Sequence, residues 1–354
     1  MKIKIHSSEI NRMMRIITQC IDSRFSNYSN IEICHGDNLL TIRGANGTYI
    51  GTVFTPLLGG DGEKFCVDGN MFAKVCSMCN GEIEINADDK NCVIKGTGRT
   101  KLPVVDTVVT AQERVEGKSA TMSSDDFMKC YNSVAYAIAA DQTRIQLTGV
   151  LTMFGGNDVT MVTLDGFQMS LESAKCDGDE IRITIPGSFM KLVSQGLAVG
   201  EKVTFCTNGN RLEAITDSMV LTCGLLTGEY PDYNRILPKE FKTECLVNVD
   251  ELRNALKCGS IINTKQNLVK LDIGADSISV MSNGEEASFD ADVACNTQGE
   301  GLKIAFNQKY LMNTINAINT EEAVMKFNSS VSPCVVTGKD EDGAHLLLPV
   351  RVQG

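Results

Sequence analysis

Tryptophan is absent from this chain of 354 residues, aromatic residues make up 6% of it, and only three histidines occur. No window of about 18 residues is entirely apolar, so the sequence predicts no membrane-spanning helix. The N-terminal run MKIKIHSSEINRMM lacks the apolar stretch followed by small residues that a secretory signal requires. We therefore expect a cytoplasmic protein without a membrane partner, whose interior is filled by Met, Ile, Leu, Val and Cys.

The fourteen cysteines are too few for a disulfide scaffold, because secreted scaffolds carry roughly 8–10% cysteine in a much shorter chain. Reduced, buried thiols are the interpretation that this favours. The one Cys-x-x-Cys pair, Cys76 and Cys79, falls inside a predicted helix and has no second pair at zinc spacing. A thiol or metal role for this pair remains as an alternative to simple burial.

Catalytic motifs are also missing. His6, His35 and His345 are scattered, and no metalloprotease, P-loop or nucleophile-elbow motif occurs. The string GTGRT that begins at Gly96 leads into Pro103 and not into a helix, so it lacks the context for phosphate binding. The sequence therefore predicts a protein that is not an enzyme and that uses no cofactor and no metal.

One structural unit recurs six times along the chain. Each copy has a polar entry, an amphipathic helix of about three turns, and two β-rich stretches joined by a Gly/Asn/Asp turn. In the first helix, Ile10, Met13, Met14, Ile17 and Cys20 form the predicted buried stripe. In the second, we expect burial of the apolar positions Met71, Phe72, Val75 and Met78.

The six units pair into three domains, predicted as 1–117, 118–240 and 241–354. The boundaries follow the linker-like stretches TAQERVEGKS and GEYPDYNRILPKE. Each domain is then two helices packed on antiparallel sheets, and the fold class is α+β. Unrelated α+β domains with coincidental similarity are the alternative.

Charge is distributed unevenly, although the net charge of −11 by itself argues against a nucleic-acid partner. The six predicted helices contain eight basic and five acidic residues, a net +3, which leaves −14 for the rest of the chain. Asn and Ser accompany the basic residues on the outer helix faces, and such side chains donate hydrogen bonds to phosphate without selecting a base. The alternative interpretation is that these basic residues have no DNA-binding role, because solvent-facing helix positions are often Lys or Arg in any protein.

The strings TRIQLTGVL, MVTLDGFQM, GEYPDYNRILPK and HLLLPVRV resemble the bacterial DNA sliding clamps, the beta subunits of DNA polymerase III. The resemblance covers all three predicted domains in order. It implies the DNA clamp fold, with a six-domain ring closed head to tail by two three-domain protomers. It also implies a non-catalytic processivity factor that encircles double-stranded DNA without sequence preference. Its expected partners are a second copy of the chain, the DNA polymerase III alpha subunit, the clamp loader, and other polymerases and repair factors that carry short linear motifs.

The resemblance implies three sets of site residues. A pocket for partner peptides, between the second and third domains, is expected at Leu147, Leu164, Gly166, Phe167, Gln168, Met169, Pro231, Arg235, Ile236, Asn307, Tyr310, Val331, Leu347, Leu348, Pro349, Val350 and Arg351. The DNA-facing set combines two kinds of residue, namely positions that match DNA contacts of the family and basic residues on the predicted helix faces. Its members are Arg12, Arg15, Arg24, Asn70, Lys74, Lys129, Ile145, Gln146, Lys191, Arg253, Lys257 and Lys309. The dimer interface is expected at Leu102, Val104, Ile261 and Ile262.

The chain also departs from the family pattern. Phe167 and Gln168 replace a commoner His-Arg pair, and Gln266 stands where an aromatic residue can occur. Non-basic residues occupy several positions where basic or aromatic residues are common in the family, namely Asn70, Ile145, Gln146, Gly187 and Ser188. A clamp-fold interaction scaffold with weak or no DNA encirclement is therefore the alternative function.

Overall fold

The computed structural model describes residues 1–25, 28–107, 109, 113–262 and 267–351, with Asp61 described by its backbone alone. Gln266, at which the sequence departs from the family pattern, lies outside the described residues. Within them, the chain alternates short helices with antiparallel strands.

The α-helices are α1 (Ser7–Ile17), α2 (Gly69–Ser77), α3 (Ser124–Val134), α4 (Gly187–Gly196), α5 (Val249–Ile262) and α6 (Gln308–Ala317). The strands are β1 (Lys2–His6), β2 (Asn30–Gly36), β3 (Leu39–Ala45), β4 (Tyr49–Pro56), β5 (Asp61–Asp68), β6 (Glu82–Ala87), β7 (Asn91–Lys95), β8 (Arg99–Pro103), β9 (Lys118–Ser123), β10 (Gly149–Gly155), β11 (Asp158–Leu164), β12 (Gln168–Lys175), β13 (Asp177–Gly178), β14 (Glu180–Pro186), β15 (Lys202–Thr207), β16 (Arg211–Ile215), β17 (Met219–Gly224), β18 (Thr243–Asn248), β19 (Leu268–Ile273), β20 (Ser277–Asn283), β21 (Ser288–Gly299), β22 (Leu302–Asn307), β23 (Glu322–Phe327), β24 (Cys334–Gly338) and β25 (Ala344–Leu347). Short 3₁₀ turns occur at Thr18–Cys20, Ala135–Ala137, Gln142–Thr148 and Tyr233–Arg235.

Helices begin where a polar side chain can accept a hydrogen bond from the first turn. Asp68 accepts from the Met71 amide at 2.7 Å, and Ser123 accepts from the Asp126 amide at 3.0 Å. Asn248 accepts from two amides of the first turn of α5, each at 3.0 Å. These side chains satisfy amides that have no partner inside the helix, so the starts of α2, α3 and α5 are encoded locally.

The chain divides into two compact units, defined here as unit 1 and unit 2. Unit 1 comprises Met1–Phe127, Cys176–Ile181 and Ser188–Leu225, and unit 2 comprises Met128–Lys175, Arg182–Gly187 and Leu226–Gly354. Residues of the predicted second domain therefore contribute to both units. The division into domains 1–117, 118–240 and 241–354 stays a prediction.

Unit 1 contains a nine-stranded antiparallel sheet in the order β13-β9-β15-β16-β17-β4-β3-β2-β5 and a four-stranded sheet in the order β1-β6-β7-β8. Its central joint is the pairing of β17 with β4, in which Leu221 lies opposite Gly51. The two strands are far apart in sequence, and the joint makes one continuous sheet from two copies of the repeat.

The sheet of unit 2 runs in the order β14-β10-β11-β12-β25-β24-β23-β18-β21-β20-β19-β22. It contains a joint of the same kind, where β12 pairs with β25 and Gln168 lies opposite Leu347. A buried cluster under α5 and α6 includes Leu252, Leu256 and Leu311, each at 0% exposure. The predicted α+β class with antiparallel sheets is confirmed.

The predicted stripe on α1 is confirmed, because Ile10, Met13, Met14, Ile17 and Cys20 are all buried. The stripe predicted for α2 is wrong in part. Phe72 and Cys76, one turn apart, are fully buried, whereas Met71 and Met78 are 48% and 76% exposed. Met71 lies about 100° around the helix from Phe72, and Met78 lies beyond the helix end at Ser77.

None of the fourteen cysteines, all of which the structure describes, forms a disulfide bond. Cys76 and Cys79 are buried, but the helix ends at Ser77, so the prediction that both lie within a helix is wrong. Burial raises the pKa of Cys76 to about 12, which keeps this thiol protonated and unreactive near neutral pH. In the described part of the chain, no helix is both long and apolar enough to cross a membrane.

Candidate functional site

A tight turn in unit 2 separates two neighbouring residues of the predicted peptide pocket. The Asp165 carboxylate accepts hydrogen bonds from the Phe167 amide at 2.8 Å and the Gln168 amide at 2.9 Å. Gly166 sits at the centre of the turn with φ of +95°, a conformation that favours glycine. As a result Phe167 projects outward and is 58% exposed, while Gln168 is buried at 3% exposure.

The exposed Phe167 ring stacks on Tyr310, with ring centroids 5.8 Å apart and planes inclined by 26°. Tyr310 lies in the first turn of α6, and Asn307 caps that helix by accepting from the Lys309 amide at 3.0 Å and the Tyr310 amide at 3.3 Å. Burial raises the pKa of the Tyr310 hydroxyl, so it stays a neutral hydrogen-bond donor. The aromatic pair therefore has one partner held by a turn and the other by a helix cap.

The chain that follows β25 runs beside this pair. The Leu348 amide donates to the Phe167 carbonyl at 2.9 Å, and the Val350 amide donates to the Ala305 carbonyl at 2.8 Å. These two bonds hold the segment against both the turn and β22. The side chains of Leu348 and Val350 stay partly open to solvent, at 37% and 39% exposure.

The linker before β18 adds a further part of the predicted pocket. Tyr230 is buried, and its hydroxyl donates to the Val162 carbonyl at 3.4 Å. Asp232 caps a short 3₁₀ turn and pairs with Arg235, whose Nε lies 3.1 Å from the carboxylate. Ile236, at the end of that turn, is exposed.

The structure separates the predicted pocket residues by exposure. Four apolar members contribute to the buried interior of unit 2, namely Leu147, Leu164, Met169 and Leu347. We define the pocket surface as the exposed apolar members Phe167, Ile236, Val331, Leu348 and Val350. Pro231, Asn307, Tyr310 and Pro349 are half-buried, and Gly166, Arg235 and Arg351 are exposed. Solvent-exposed apolar side chains beside cations are typical of a surface that receives a partner.

Four of the predicted DNA-facing cations are engaged by carboxylates of their own chain. Arg12 lies 3.3 Å from Glu9, Arg24 lies 2.7 Å from Asp22, and Arg253 pairs with Asp250. The Arg24 guanidinium, by its hydrogen bonds, lowers the pKa of Asp22 to about 2. Part of the hydrogen-bonding capacity of each of these cations is therefore taken up by its own chain.

Lys129 is the fourth, and its partner comes from far along the chain. Its ammonium lies 3.3 Å from the Glu341 carboxylate. Burial pulls the pKa of Lys129 down, but the charges of Glu341 and Glu172 outweigh this effect and the pKa is raised. Lys129 therefore remains charged and is paired with a carboxylate of its own chain.

For the other predicted DNA-facing cations, no ion pair is found among the described residues. They are Arg15, Lys74, Lys191, Lys257 and Lys309, and all five are exposed. The remaining members of the predicted set are uncharged: Asn70 and Gln146 are half-buried, and Ile145 is 52% exposed.

The predicted dimer residues differ in how much surface they offer. Leu102 in β8 packs inward at 6% exposure, and Val104 is half-buried. Ile261, near the end of α5, is 73% exposed, whereas Ile262 is half-buried. In the sheet order, β8 is an edge strand.

A buried polar network in unit 2 was missed by the sequence reasoning. His345 Nδ1 lies 2.9 Å from the Ser170 hydroxyl and 3.2 Å from the Tyr136 hydroxyl. Burial lowers the pKa of His345 to about 4, so the ring is neutral in the folded protein. No local sequence pattern predicts this network, because Tyr136, Ser170 and His345 come from three separate segments of the chain. The Asp165 turn, in contrast, carried a local Asp-Gly signal.

In the part of the chain that the structure describes, no group of three or more His, Cys, Asp or Glu side chains is placed to hold a metal ion. The thiol pair Cys76 and Cys79 has no third ligand there.

Comparison with known proteins identifies the family to which this chain belongs. The model for the central domain of the DNA polymerase III beta subunit matches residues 121–232, and the model for its C-terminal domain matches residues 234–351. The chain therefore belongs to the DNA polymerase III beta subunit family, the bacterial sliding clamps, and the resemblance drawn from the sequence is confirmed.

Individual relatives match along the whole chain. The beta sliding clamp of Bacillus subtilis is 24% identical over 99% of this chain and 100% of its own length. A sliding clamp structure from Pseudomonas aeruginosa, solved with griselimycin bound, superposes with a TM-score of 0.92 at 20% identity, covering 99% of this chain and 100% of that one. The B. subtilis clamp structure gives a TM-score of 0.90 at 22% identity, with complete coverage of both chains. The predicted DNA clamp fold is thus confirmed.

Proposed function

We propose that this chain is a DNA sliding clamp: a non-catalytic subunit that encircles double-stranded DNA and tethers the replicative polymerase to it. The observation that carries the proposal is that one chain of this family presents both surfaces the task needs. One is a set of exposed helix cations for which no ion pair is found among the described residues, and the other is an exposed apolar surface in unit 2. As in the sequence prediction, its place of action is the cytoplasm, in keeping with fourteen cysteines that form no disulfide bond.

The tethering role assigns the pocket surface to short linear motifs of the alpha subunit, the clamp loader, and other polymerases and repair factors. An apolar peptide side chain would displace water from the stacked Phe167 and Tyr310 and from Leu348. Arg351 and Arg235 would pair with acidic groups or carbonyls of the peptide. Phe167 replaces the histidine common in the family, so the contact at this point is apolar and independent of pH.

The encircling role assigns the unpaired helix cations to the phosphates of the duplex. Contacts of this type hold DNA of any sequence, because phosphate carries no base information. A ring topology keeps the protein on DNA even when each contact is weak. This tolerance fits a chain in which four of the predicted cations are already paired internally.

Ring closure needs a second copy of the chain, joined head to tail. We assign this contact to β8 and the end of α5, with Val104 and the exposed Ile261 supplying apolar area and Leu102 and Ile262 lying behind them. Arg99 and Lys101 of β8 are exposed on the same edge strand. An edge strand that is covered by a partner is also protected from aggregation.

A clamp-fold scaffold that binds proteins but does not encircle DNA is the second candidate. The internal pairing of Arg12, Arg24, Lys129 and Arg253 favours it, since these cations are partly unavailable to phosphate.

Retention on circular DNA distinguishes the two candidates. The full-length protein is loaded onto a nicked plasmid by the clamp loader, separated by gel filtration, and assayed before and after the plasmid is linearised. A sliding clamp stays with the circle and is released from the linear form. Equal recovery from circular and linear DNA, or no recovery from either, would support the scaffold instead.

A further inference from the structure

Adjacent to the pocket surface of unit 2 lies a cluster of polar side chains. Its members join two strands, β12 and β25, to the helix α6 and to the 3₁₀ turn that follows α3. We call it the His345 cluster, and it consists of Tyr136, Ser170, Thr314 and His345. Ser170 and Thr314 are at 0% exposure and His345 is at 2%. None of the four belongs to the predicted site.

The cluster reaches three elements that carry residues of the proposed peptide contact. Its serine lies in β12, which begins directly after Phe167. Its threonine lies in α6, one helical turn after Tyr310. His345 itself lies in β25, which ends directly before Leu348. We call Phe167, Tyr310 and Leu348 the pocket walls, and each of them is therefore close along the chain to one member of the cluster.

His345 is at the centre of the cluster. It lies directly opposite Ser170 in the pairing of β25 with β12, and its Nδ1 is 2.9 Å from the Ser170 hydroxyl and 3.2 Å from the Tyr136 hydroxyl. The Ser170 hydroxyl donates to the Ser133 carbonyl at 2.8 Å, and the Tyr136 hydroxyl lies 3.5 Å from the Thr314 hydroxyl. One ring nitrogen thus connects β25 to β12, to the end of α3 and to α6.

These hydrogen bonds have a direction. Ser170 has one hydroxyl hydrogen, and it donates that hydrogen to the Ser133 carbonyl at the end of α3, where helix carbonyls are short of donors. The Ser170 oxygen must then accept from His345, so we assign the ring proton to Nδ1. Burial lowers the pKa of His345 to about 4, so near neutral pH the ring carries this one N–H. A side chain that cannot donate here breaks the connection.

A second contact links the cluster to the turn that presents Phe167. The Gln168 side chain donates through Nε2 to the Asp165 carboxylate at 3.0 Å and to the Tyr136 carbonyl at 3.5 Å. The same carboxylate orders the turn by accepting from the Phe167 amide. The orientation of Phe167 is therefore tied to the cluster as well as to its own turn.

We propose that His345 is a positioning residue for partner peptides, which through the His345 cluster holds the pocket walls in one arrangement before a peptide binds. This inference rests on the proposed function and adds to it a residue that itself touches no peptide. A pocket that is already ordered loses less conformational entropy on binding, so the same contacts give a higher affinity. Because the bonds share one nitrogen, they are lost together when that side chain is removed.

Hydrogen exchange in the peptide-free protein tests the positioning directly. The Leu348 amide donates to the Phe167 carbonyl, so its exchange rate reports whether two of the walls keep their arrangement. The native full-length chain is compared with His345→Leu, which cannot donate, and with His345→Asn, whose amide can place an N–H near the position of Nδ1. His345→Leu should exchange this amide faster by about tenfold or more, and His345→Asn should restore slow exchange.

Two controls separate positioning from a general loss of stability. His35→Leu removes another buried histidine, which lies in unit 1 with its Nε2 3.2 Å from the Leu57 carbonyl. Val280→Ala opens a cavity in the core of unit 2, in β20, a strand that pairs with neither β12 nor β25. Both controls should unfold at a lower temperature and still exchange the Leu348 amide slowly. Equal acceleration in Val280→Ala and His345→Leu would overturn the proposal.

Peptide affinity is the second measurement. By fluorescence anisotropy, His345→Leu should bind a labelled alpha-subunit motif peptide about tenfold more weakly, whereas His345→Asn and both controls should bind it like the native chain. In a Phe167→Ala background the same His345→Leu change should weaken binding by less than about threefold, because the ring that it positions is gone. An equal loss in the two backgrounds would contradict action through the pocket walls.

The positioning role and the proposed function fail in different ways. If the native chain binds no motif peptide, the tethering role fails, and the exchange of the Leu348 amide still decides whether His345 orders the walls. If the native chain binds the peptide and His345→Leu binds it equally well, only the positioning role fails, whatever the exchange rate.

Discussion

Phe167 and Tyr310 stack with their ring centroids 5.8 Å apart, although they lie in segments separated by more than a hundred residues. The Asp165 turn orients one ring, and the Asn307 cap orients the other. Stacked aromatic pairs contribute about 0.5–1.5 kcal/mol beyond the area they bury, so the contact favours this arrangement of the two rings. It gives the pocket surface a fixed wall against which a peptide side chain can pack.

Replacing Phe167 by Ala is expected to weaken binding of a labelled alpha-subunit motif peptide at least tenfold, because the wall and its apolar area are both lost. Fluorescence anisotropy on the full-length protein measures this. Phe25→Ala is a matched control, since Phe25 is likewise 58% exposed but lies in unit 1. A similar change in both variants would argue against a specific role for Phe167.

Removal of residues 348–354 tests the tail of the chain. Leu346 and Leu347 are buried in β25 and must be kept, whereas Leu348 and Val350 are partly exposed. The shortened protein should keep its helix content and its dimer but lose peptide binding. Circular dichroism, sedimentation and anisotropy report these three properties separately. Undiminished peptide affinity would show that the peptide does not bind to Leu348 and Val350.

A charge at Ile261 should open the ring. Ile261→Glu places a carboxylate on a side chain that is 73% exposed in the protomer and that we assign to the dimer contact. Burying an unpaired charge costs several kcal/mol, so the expected product is a monomer in sedimentation equilibrium. Val199→Glu, at a position that is 94% exposed in unit 1, should leave the dimer intact. If the Ile261→Glu variant is still a dimer, the assignment of Ile261 to the interface is wrong.

His345 should make unit 2 sensitive to acid. Its pKa is lowered from 6.5 to about 4 by burial, so between these pH values the unfolded chain takes up a proton that the folded chain does not. Its contribution to stability is fully present above about pH 6.5 and declines as the pH falls toward 4, by up to about 3 kcal/mol. Thermal unfolding at pH 7.5 and pH 5 measures the loss. In His345→Gln the extra loss at pH 5 should disappear; an unchanged pH response would assign the acid sensitivity to another group.

Gly117 stands at the predicted domain boundary with no room for a side chain. A Cβ at this position would lie directly against the backbone carbonyl of Thr207, which cannot move without disturbing β15. Gly117→Ala should therefore lower stability by about 1–3 kcal/mol, as overpacking does. Gly224→Ala is the control, because nothing lies within 4 Å of its added Cβ. Chemical denaturation of both variants provides the comparison, and equal midpoints would contradict the packing argument.

Local pattern was enough to predict the repeated helix and strand unit and the α+β class. The stripe of α1 could be predicted because the 3.6-residue period needs only neighbouring positions. Helix starts rest on equally local interactions, since a cap such as Asp68 accepts a hydrogen bond from an amide three residues away. The α2 stripe was partly wrong because a nine-residue helix gives too short a window to fix its rotation against the sheet.

By itself, the amino-acid sequence determined the repeat, the fold class and the family of this protein, because these depend on local periodicity and on short diagnostic strings. Only the tertiary structure decided which cations are available to a ligand. Lys129 is paired with Glu341, more than two hundred residues away. Arg15 and Lys191 line one cleft, and for neither is an ion pair found among the described residues. Electrostatic interactions act across space and not along the chain, so the availability of a charge follows from packing.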